Sequence, residues 1–238
     1  MTSVYQANFA QYYDLMYHWK NYTEEAAALK AHIARHKQTH GNNLLEVACG
    51  TGKYIEQLHN DFQITGLDLS ENMLTIARAK FPDLSFVCAD MHLFQLPQTF
   101  DVVLCLFSSI AYAHTIEDVQ QVFGNFYQHL NKGGIALIEP FIAPDLYKEN
   151  YLHAINVDRP DIKLSRQSIS TRQGNIAHLA MHTLVTTLEN GGQYFFEEHQ
   201  LALFHTEEYL QAARNVGFEA SILPQGLMKD RDLMLLCK

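Results

Sequence analysis

The 238-residue chain contains no Cys-x-x-Cys pair. Its four cysteines (Cys49, Cys88, Cys105 and Cys237) lie far apart, which excludes the usual paired-thiol metal and redox motifs. Three of them sit in apolar runs that read as strands, so reduced, mostly buried thiols of a cytoplasmic protein are expected. Basic residues are scarce: 17 Lys and Arg stand against 26 Asp and Glu, a formal charge of −9. That balance argues against a nucleic-acid partner, which normally leaves a basic footprint. The opening stretch "MTSVYQANFAQYYD" lacks the basic-then-apolar order of a signal peptide. No uninterrupted apolar run is long enough to span a bilayer, so no membrane association is expected. Internal repeats and low-complexity tracts are absent as well. What remains is 47% apolar and 18% charged, enough for a buried core in one large domain or a domain with a sizeable insertion.

The first 144 residues alternate strand and helix patterns. Thr23 is expected to cap a helix beginning "EEAAALKAHIARHK", with Glu24 and Glu25 suited to the positive end of its dipole. Strands are expected at 43–48, 62–67, 84–88, 100–107 and 135–140, and helices at 53–60, after Ser70, and at 116–130. Such alternation predicts an α/β fold: a doubly wound, mostly parallel Rossmann-like sheet covered by helices. Past Pro144 the pattern changes to long, partly alternating stretches punctuated by "QGN" and "ENGGQ", which are hairpin turns. Residues 145–204 are therefore expected to form an antiparallel insert, with its sheet at about 160–204, between core segments 1–144 and 205–238. A helix at 206–216 and two antiparallel strands, 219–223 and 232–237, close the chain.

"NLLEVACGTGKY", from Asn43, places small residues where the first strand meets a helix. Small side chains let a ligand lie against the backbone, and the helix start offers free N–H groups. Asp68 ends the second strand and can accept from both hydroxyls of a ribose. Ala48, Gly50 and Gly52 alternate, unlike the Gly-x-Gly-x-x-Gly of NAD loops, and Lys53 is followed by Tyr54, not the Ser or Thr of a P-loop. A third strand ends in "CADM", where Asp90 can accept from an adenine amino group. Three successive strand tips thus carry a loop, a ribose acid and an adenine acid.

"LLEVACGTG", "GLDLSENML" and "CADM" resemble the cofactor motifs of class I S-adenosylmethionine-dependent methyltransferases. The resemblance extends to the nucleotide-aminosugar N,N-dimethyltransferases through "YYDLMYHWKNY", "CLFSSIAY", "IEP", "SRQSISTRQG" and "HQLALFHTEEY". It implies S-adenosylmethionine as cofactor and a small-molecule methyl acceptor. The backbone of Ala48 and Gly50 would line the methionine moiety above Glu46, with Asp68 on the ribose and Met73 beside it. Asp90 and the backbone of Met91 would recognise the adenine, Leu106 would cover the sulfonium side, and Tyr13 and Tyr22 would reach the amino-acid end. For Tyr22, plain packing at a helix entrance is the alternative; Glu46 has the alternative of bracing the loop.

An acceptor amine must lose its proton before it can attack a methyl group. Where the aminosugar enzymes carry a His or Tyr after "CLFSSI", this chain has Tyr112, suited to orienting the amine, and His114 two residues on, with the better pKa for a base. Tyr5 matches a position that closes over the substrate. The resemblance places Arg166, Ser168, Ser170 and Arg231 where a nucleotide-sugar diphosphate would be gripped, with Glu139 beside the substrate. It also shows two departures. Ile169 replaces a His between the serines, and Phe141 and Ile142 replace paired tryptophans, so a pocket of different shape is expected. His32, His36 and His40 have helical metal-ligand spacing but no partnering carboxylate or cysteine, and no metal is expected. His178 and His182 read as surface or subunit-contact residues. In "FFEEH" the adjacent carboxylates face opposite sides of a strand, which argues against an acid–base pair. The function expected is methylation of an aminosugar amine, with another small-molecule N- or O-methylation, or a non-catalytic cofactor-binding protein, as alternatives; a homodimer paired through the insert is also expected.

Overall fold

The computed structural model describes residues 7–223, 226–228 and 231–238. Two short helices, α1 (Ala7–Ala10) and α2 (Tyr13–Met16), precede α3 (Tyr22–His36). The cap of α3 is Asn21, not Thr23: the Asn21 side-chain oxygen Oδ1 accepts from the Glu24 N–H at 3.1 Å, two positions earlier than the sequence pattern indicated. Strand β1 (Asn43–Val47) leads through the glycine loop into α4 (Ile55–Leu58), a single turn where a longer helix was expected. Then come β2 (Gln63–Asp68), α5 (Glu71–Lys80), β3 (Ser85–Cys88), β4 (Phe100–Cys105), a 3-10 turn (Ser109–Tyr112) and α6 (Ile116–His129). Ser70 caps α5 as its sequence predicts, accepting from the Met73 N–H. Strand β5 starts at Leu130, earlier than 135, and runs through Gly133 and Gly134 to Ile138.

The core sheet has the order β10–β11–β5–β4–β1–β2–β3, where β10 is Glu219–Leu223 and β11 is Leu233–Cys237. Strands β1 to β5 pair in parallel, while β11 runs antiparallel to both β5 and β10. Side chains along the central strands alternate between two buried layers. Leu45, Val47, Val103 and Ala136 pack against Val122, Phe123 and Phe126 of α6 and against Tyr209 of α7 (Thr206–Asn215). Leu44, Val102, Leu104 and Leu137 pack instead against Leu29 and Ile33 of α3 and Ile55 of α4. Both faces are thus covered, which is why these strands read as continuous apolar runs. Of the thiols, Cys49 and Cys105 are buried, Cys237 is half-buried and Cys88 is exposed.

A second sheet has four strands where the alternation pattern marked three. Strand β6 (Tyr151–Asp158) precedes β7 (Ile162–Gln173), β8 (Ile176–Thr187) and β9 (Gly191–Ala202), all antiparallel neighbours. Its inner face carries Val157, Leu164, Val185 and Phe195, which enclose Phe9, Tyr12 and Met16 of the N-terminal helices. Phe195 meets the Phe9 ring at 5.0 Å, and Tyr12 donates to Gln193 at 3.1 Å. The N-terminal helices are therefore held between the insert and the core. Among the described residues no helix is long and apolar enough to cross a membrane.

Candidate active site

Strand order departs from chain order between β1 and β4, and ligands of open α/β sheets bind at the carboxyl ends around such a point. There Ala48, Gly50 and Gly52 all have positive φ, at 56°, 55° and 81°. A Cβ built on Gly50 would meet nothing within 4 Å, so space lies open against the backbone. Asp68 is gripped at both oxygens: the Gly50 and Ser70 N–H groups each donate to it at 2.8 Å. Burial pushes its carboxyl upward, and these N–H donors offset part of that. Beneath the loop Glu46 is buried, and one of its oxygens has no partner. Burial, with the nearby Asp68 charge, raises its pKa to about 8. Asp90, one strand over, accepts from the His92 N–H at 2.9 Å and lies 2.6 Å from its ring. Burial acts upward on Asp90, but His92 outweighs it and the carboxyl sits below its usual range.

The other expected cofactor residues cluster around these tips. Met73 and Leu106 are buried, and the Met91 carbonyl accepts from Asn125 at 3.3 Å. Tyr13 is half-buried, and loss of hydration first, then the nearby Tyr17, Tyr22, Tyr112 and Asp68, push its phenol well up. Tyr22 packs edge-on against Tyr54 at 5.1 Å, with Lys20 over its ring, so the structure gives it the packing environment named as the alternative. A clasp not foreseen from sequence fixes the N-terminal helices to the loop: Asp14 of α2 accepts from Thr51 and from Lys80, both at 2.5 Å.

Next to this site lies a cavity of about 270 Å³. Its walls come from α2 and the residue after it (Tyr13, Tyr17), the segment after β4 (Phe107, Tyr112) and the inner face of the insert (Arg166, Glu197, His199). Phe107 and Ser108 both take positive φ, 52° and 66°, a conformation that costs non-glycine residues energy. The Phe107 N–H donates to Glu139 at 2.7 Å and the Ser108 hydroxyl donates to the Pro140 carbonyl at 3.2 Å, and these bonds hold the bend. The bend starts the 3-10 turn that presents Tyr112. Its hydroxyl stands 2.7 Å from Nδ1 of His199. Burial and then the Arg166 charge lower the His199 pKa to about 4.

Arg166 is only 6% exposed. One terminal nitrogen donates to the Tyr17 hydroxyl at 3.2 Å, while Nε has no partner. Arg231 also lines the cavity, donating to Ser108 and lying over the Phe107 and Phe141 rings. Ser168 shares the inner face with Arg166 but does not line the cavity; its hydroxyl donates weakly to the His153 carbonyl at 3.5 Å.

Three expectations need correction or fall outside the description. His114 is exposed, with its ring nitrogen on the Gln200 carbonyl at 2.9 Å, and does not line the cavity: past the 3-10 turn Ala113 turns into the core and His114 faces outward. Glu139 is fully enclosed below the bend and not on the cavity wall, so it braces the backbone instead of contacting substrate. Tyr5 lies outside the described residues. Sequence reasoning also passed over Glu197 and His199. Glu197 and Glu198 do face opposite sides, but Glu197 and His199 are two apart and share the inner face, each 5% exposed. The period-2 rule, applied to the next residue along, would have found them.

A seven-stranded sheet with a glycine loop at one strand tip and an acid at each of the next two is the architecture of a class I methyltransferase using S-adenosylmethionine. The open space at Gly50 and the orphaned oxygen of Glu46 fit a nucleoside carrying a charged amino-acid tail. Residues 44–134 match a methyltransferase domain model. A dTDP-3-amino-3,4,6-trideoxy-alpha-D-glucopyranose N,N-dimethyltransferase of Streptomyces venezuelae is 34% identical, over 94% of this chain and 95% of that one. The crystal structure of Streptomyces venezuelae DesVI matches with a TM-score of 0.90 and 33% identity, covering 98% of this chain and 99% of the other. CalS10 from Micromonospora echinaspora, an amino pentose methyltransferase with S-adenosylmethionine bound, matches with a TM-score of 0.82 and 29% identity over 99% and 98% of the chains. The chain belongs to the family of S-adenosylmethionine-dependent nucleotide-aminosugar N,N-dimethyltransferases.

Proposed function

We propose that the protein methylates the amino group of a nucleotide-linked aminosugar, held between the core strand tips and the inner face of the insert. The observation that carries this reading is the buried Arg166, whose partnerless Nε shares a cavity with Tyr112, Glu197 and His199. A buried guanidinium with an unsatisfied donor is costly unless an anion completes it. A diphosphate would do so, with Arg231 as a second contact and Ser168 at the margin. The relatives' dTDP-linked amino sugars offer that chemistry. The cofactor supplies an activated methyl group; the chain's tasks are to hold the amine neutral and aligned and to keep water out. Tyr13 and Tyr17 line the cavity on the side of the N-terminal helices. Of the two departures from the aminosugar pattern, Ile169 is on the exposed outer face and does not line the cavity, whereas Phe141 does. That outer face, with Leu152, Leu184, Tyr194 and Phe196 exposed, is where we place a homodimer contact.

The test is S-adenosylhomocysteine release across dTDP-linked aminosugars, free aminosugars, amino acids and phenols, with products read by mass. A nucleotide-aminosugar gaining one or two N-methyl groups is the expected product. An O-methylated product alone would remove the aminosugar reading, and cofactor binding without turnover on any acceptor would remove catalysis.

A further inference from the structure

We propose that Tyr112 and His199 form a two-residue proton acceptor for the substrate amine, switched on by the anionic end of the same substrate. The proposal rests on the aminosugar reading above. Its basis is geometric. The strained bend after β4 brings Tyr112, and β9 brings His199, so that hydroxyl and Nδ1 lie 2.7 Å apart on the wall of the acceptor cavity. With Nδ1 unprotonated, the Tyr112 hydroxyl donates to it, and the phenol oxygen then acts toward a third group as an acceptor. An ammonium placed there gives up its proton in one concerted shift. The nitrogen–hydrogen bond breaks with its electron pair left on nitrogen; the proton goes to the Tyr112 oxygen as the hydroxyl's own proton passes to His199 Nδ1. Tyr112 is unchanged, the amine is neutral and His199 is an imidazolium, which later returns its proton to water.

The cavity also explains why this base acts only with the substrate in place. Arg166 of β7 and Glu197 of β9 are the charged groups beside His199 on the insert; His153 comes from β6, Tyr13 from α2, Tyr17 from just after it and Arg231 from the segment before β11, while β8 contributes Leu179 and Met181. In the free protein burial and the Arg166 charge keep the ring neutral. A phosphate on Arg166 cancels that charge and makes His199 more basic at the moment the amine arrives.

Two measurements decide the matter. The first is titration of the His199 ring by NMR in the full chain, assigned by its loss in His199→Asn, without and with thymidine diphosphate. The expected result is a rise of roughly one pH unit or more on adding the diphosphate; an unmoved titration overturns the coupling, whether or not any aminosugar is methylated. The second is the pH–rate profile of His199→Asn, whose amide can still accept from Tyr112 but cannot take a proton. A kcat lower by about 10- to 100-fold is expected, with the acid limb moved up toward the amine's own pKa and cofactor affinity unchanged. A profile overlaying that of the unaltered protein overturns His199 as the base. Absence of turnover by the unaltered protein on every nucleotide-aminosugar would instead remove the acceptor reading, and the titration would still judge the pair.

Discussion

Glu46→Gln tests the chemistry beneath the glycine loop. Glu46 is buried below Gly50 with one oxygen unpartnered, and burial raises its carboxyl from 4.5 to about 8. At about 1.4 kcal/mol per pH unit, that corresponds to roughly 4–5 kcal/mol. The sign follows from linkage. The folded protein holds this proton more tightly than the unfolded chain, so the contribution is complete below 4.5 and is lost as pH rises toward 8. Urea unfolding of the cofactor-free protein should show stability falling between pH 5 and 8, and Glu46→Gln should flatten that slope. The same carboxyl makes a second, independent prediction. If the ammonium of S-adenosylmethionine settles against Glu46, a proton that is about nine-tenths present at pH 7 must leave. Calorimetry in buffers of differing ionisation enthalpy should therefore report about 0.9 proton released per cofactor bound, and close to none for Glu46→Gln. Parallel stability slopes for the two proteins, or equal proton release, would refute the assignment.

Asp68→Ala should weaken S-adenosylmethionine binding by about 1–3 kcal/mol through loss of a charge-assisted acceptor, measured by calorimetry; unchanged affinity would mean that Asp68 does not hold the ribose. Arg166→Lys replaces a planar fork by a point charge. It should raise KM for a dTDP-aminosugar about tenfold while leaving cofactor affinity alone, and an unaltered KM would remove Arg166 from phosphate binding. Asp14→Asn releases the clasp on Thr51 and Lys80 and should lower Tm by about 2–4 °C, read by calorimetric scan, together with cofactor affinity; an unchanged Tm would make the clasp incidental.

The core was legible because its strands are buried on both faces and its helices carry short-range signals, as with Ser70 capping α5. Where two local signals competed, the reading slipped. Asn21 and Thr23 are both good caps; Asn21 has the non-helical backbone angles, while Thr23 lies inside the helix with its hydroxyl donating to Gln57. Strand β6 was missed because seven of its eight residues are partly or wholly exposed, so burial writes almost no alternation into it. The cofactor residues were named from contiguous motifs. The acceptor cavity was named less completely, since its walls come from segments as distant as Tyr13 and His199 and no local pattern pairs Tyr112 with a residue 87 positions away.

This division has a physical origin that bears on specificity. The candidate cofactor site is built from backbone geometry at the tips of a parallel sheet, where left-handed φ values and strand register leave few acceptable residues. The cavity beside it is lined by side chains on one face of an antiparallel sheet, where every second residue is free to change without disturbing the ladder. Exchange of Arg166, Met181 or Glu197 would reshape the cavity while the strand pairing stayed intact, whereas Ile169 and Tyr194, on the other face, could vary with no effect on the acceptor. The strained bend at Phe107 and Ser108 joins the two regimes. It is built on the core, yet it aims Tyr112 at the insert, so the rigid sheet sets the place of the hydroxyl and the replaceable face supplies its partner.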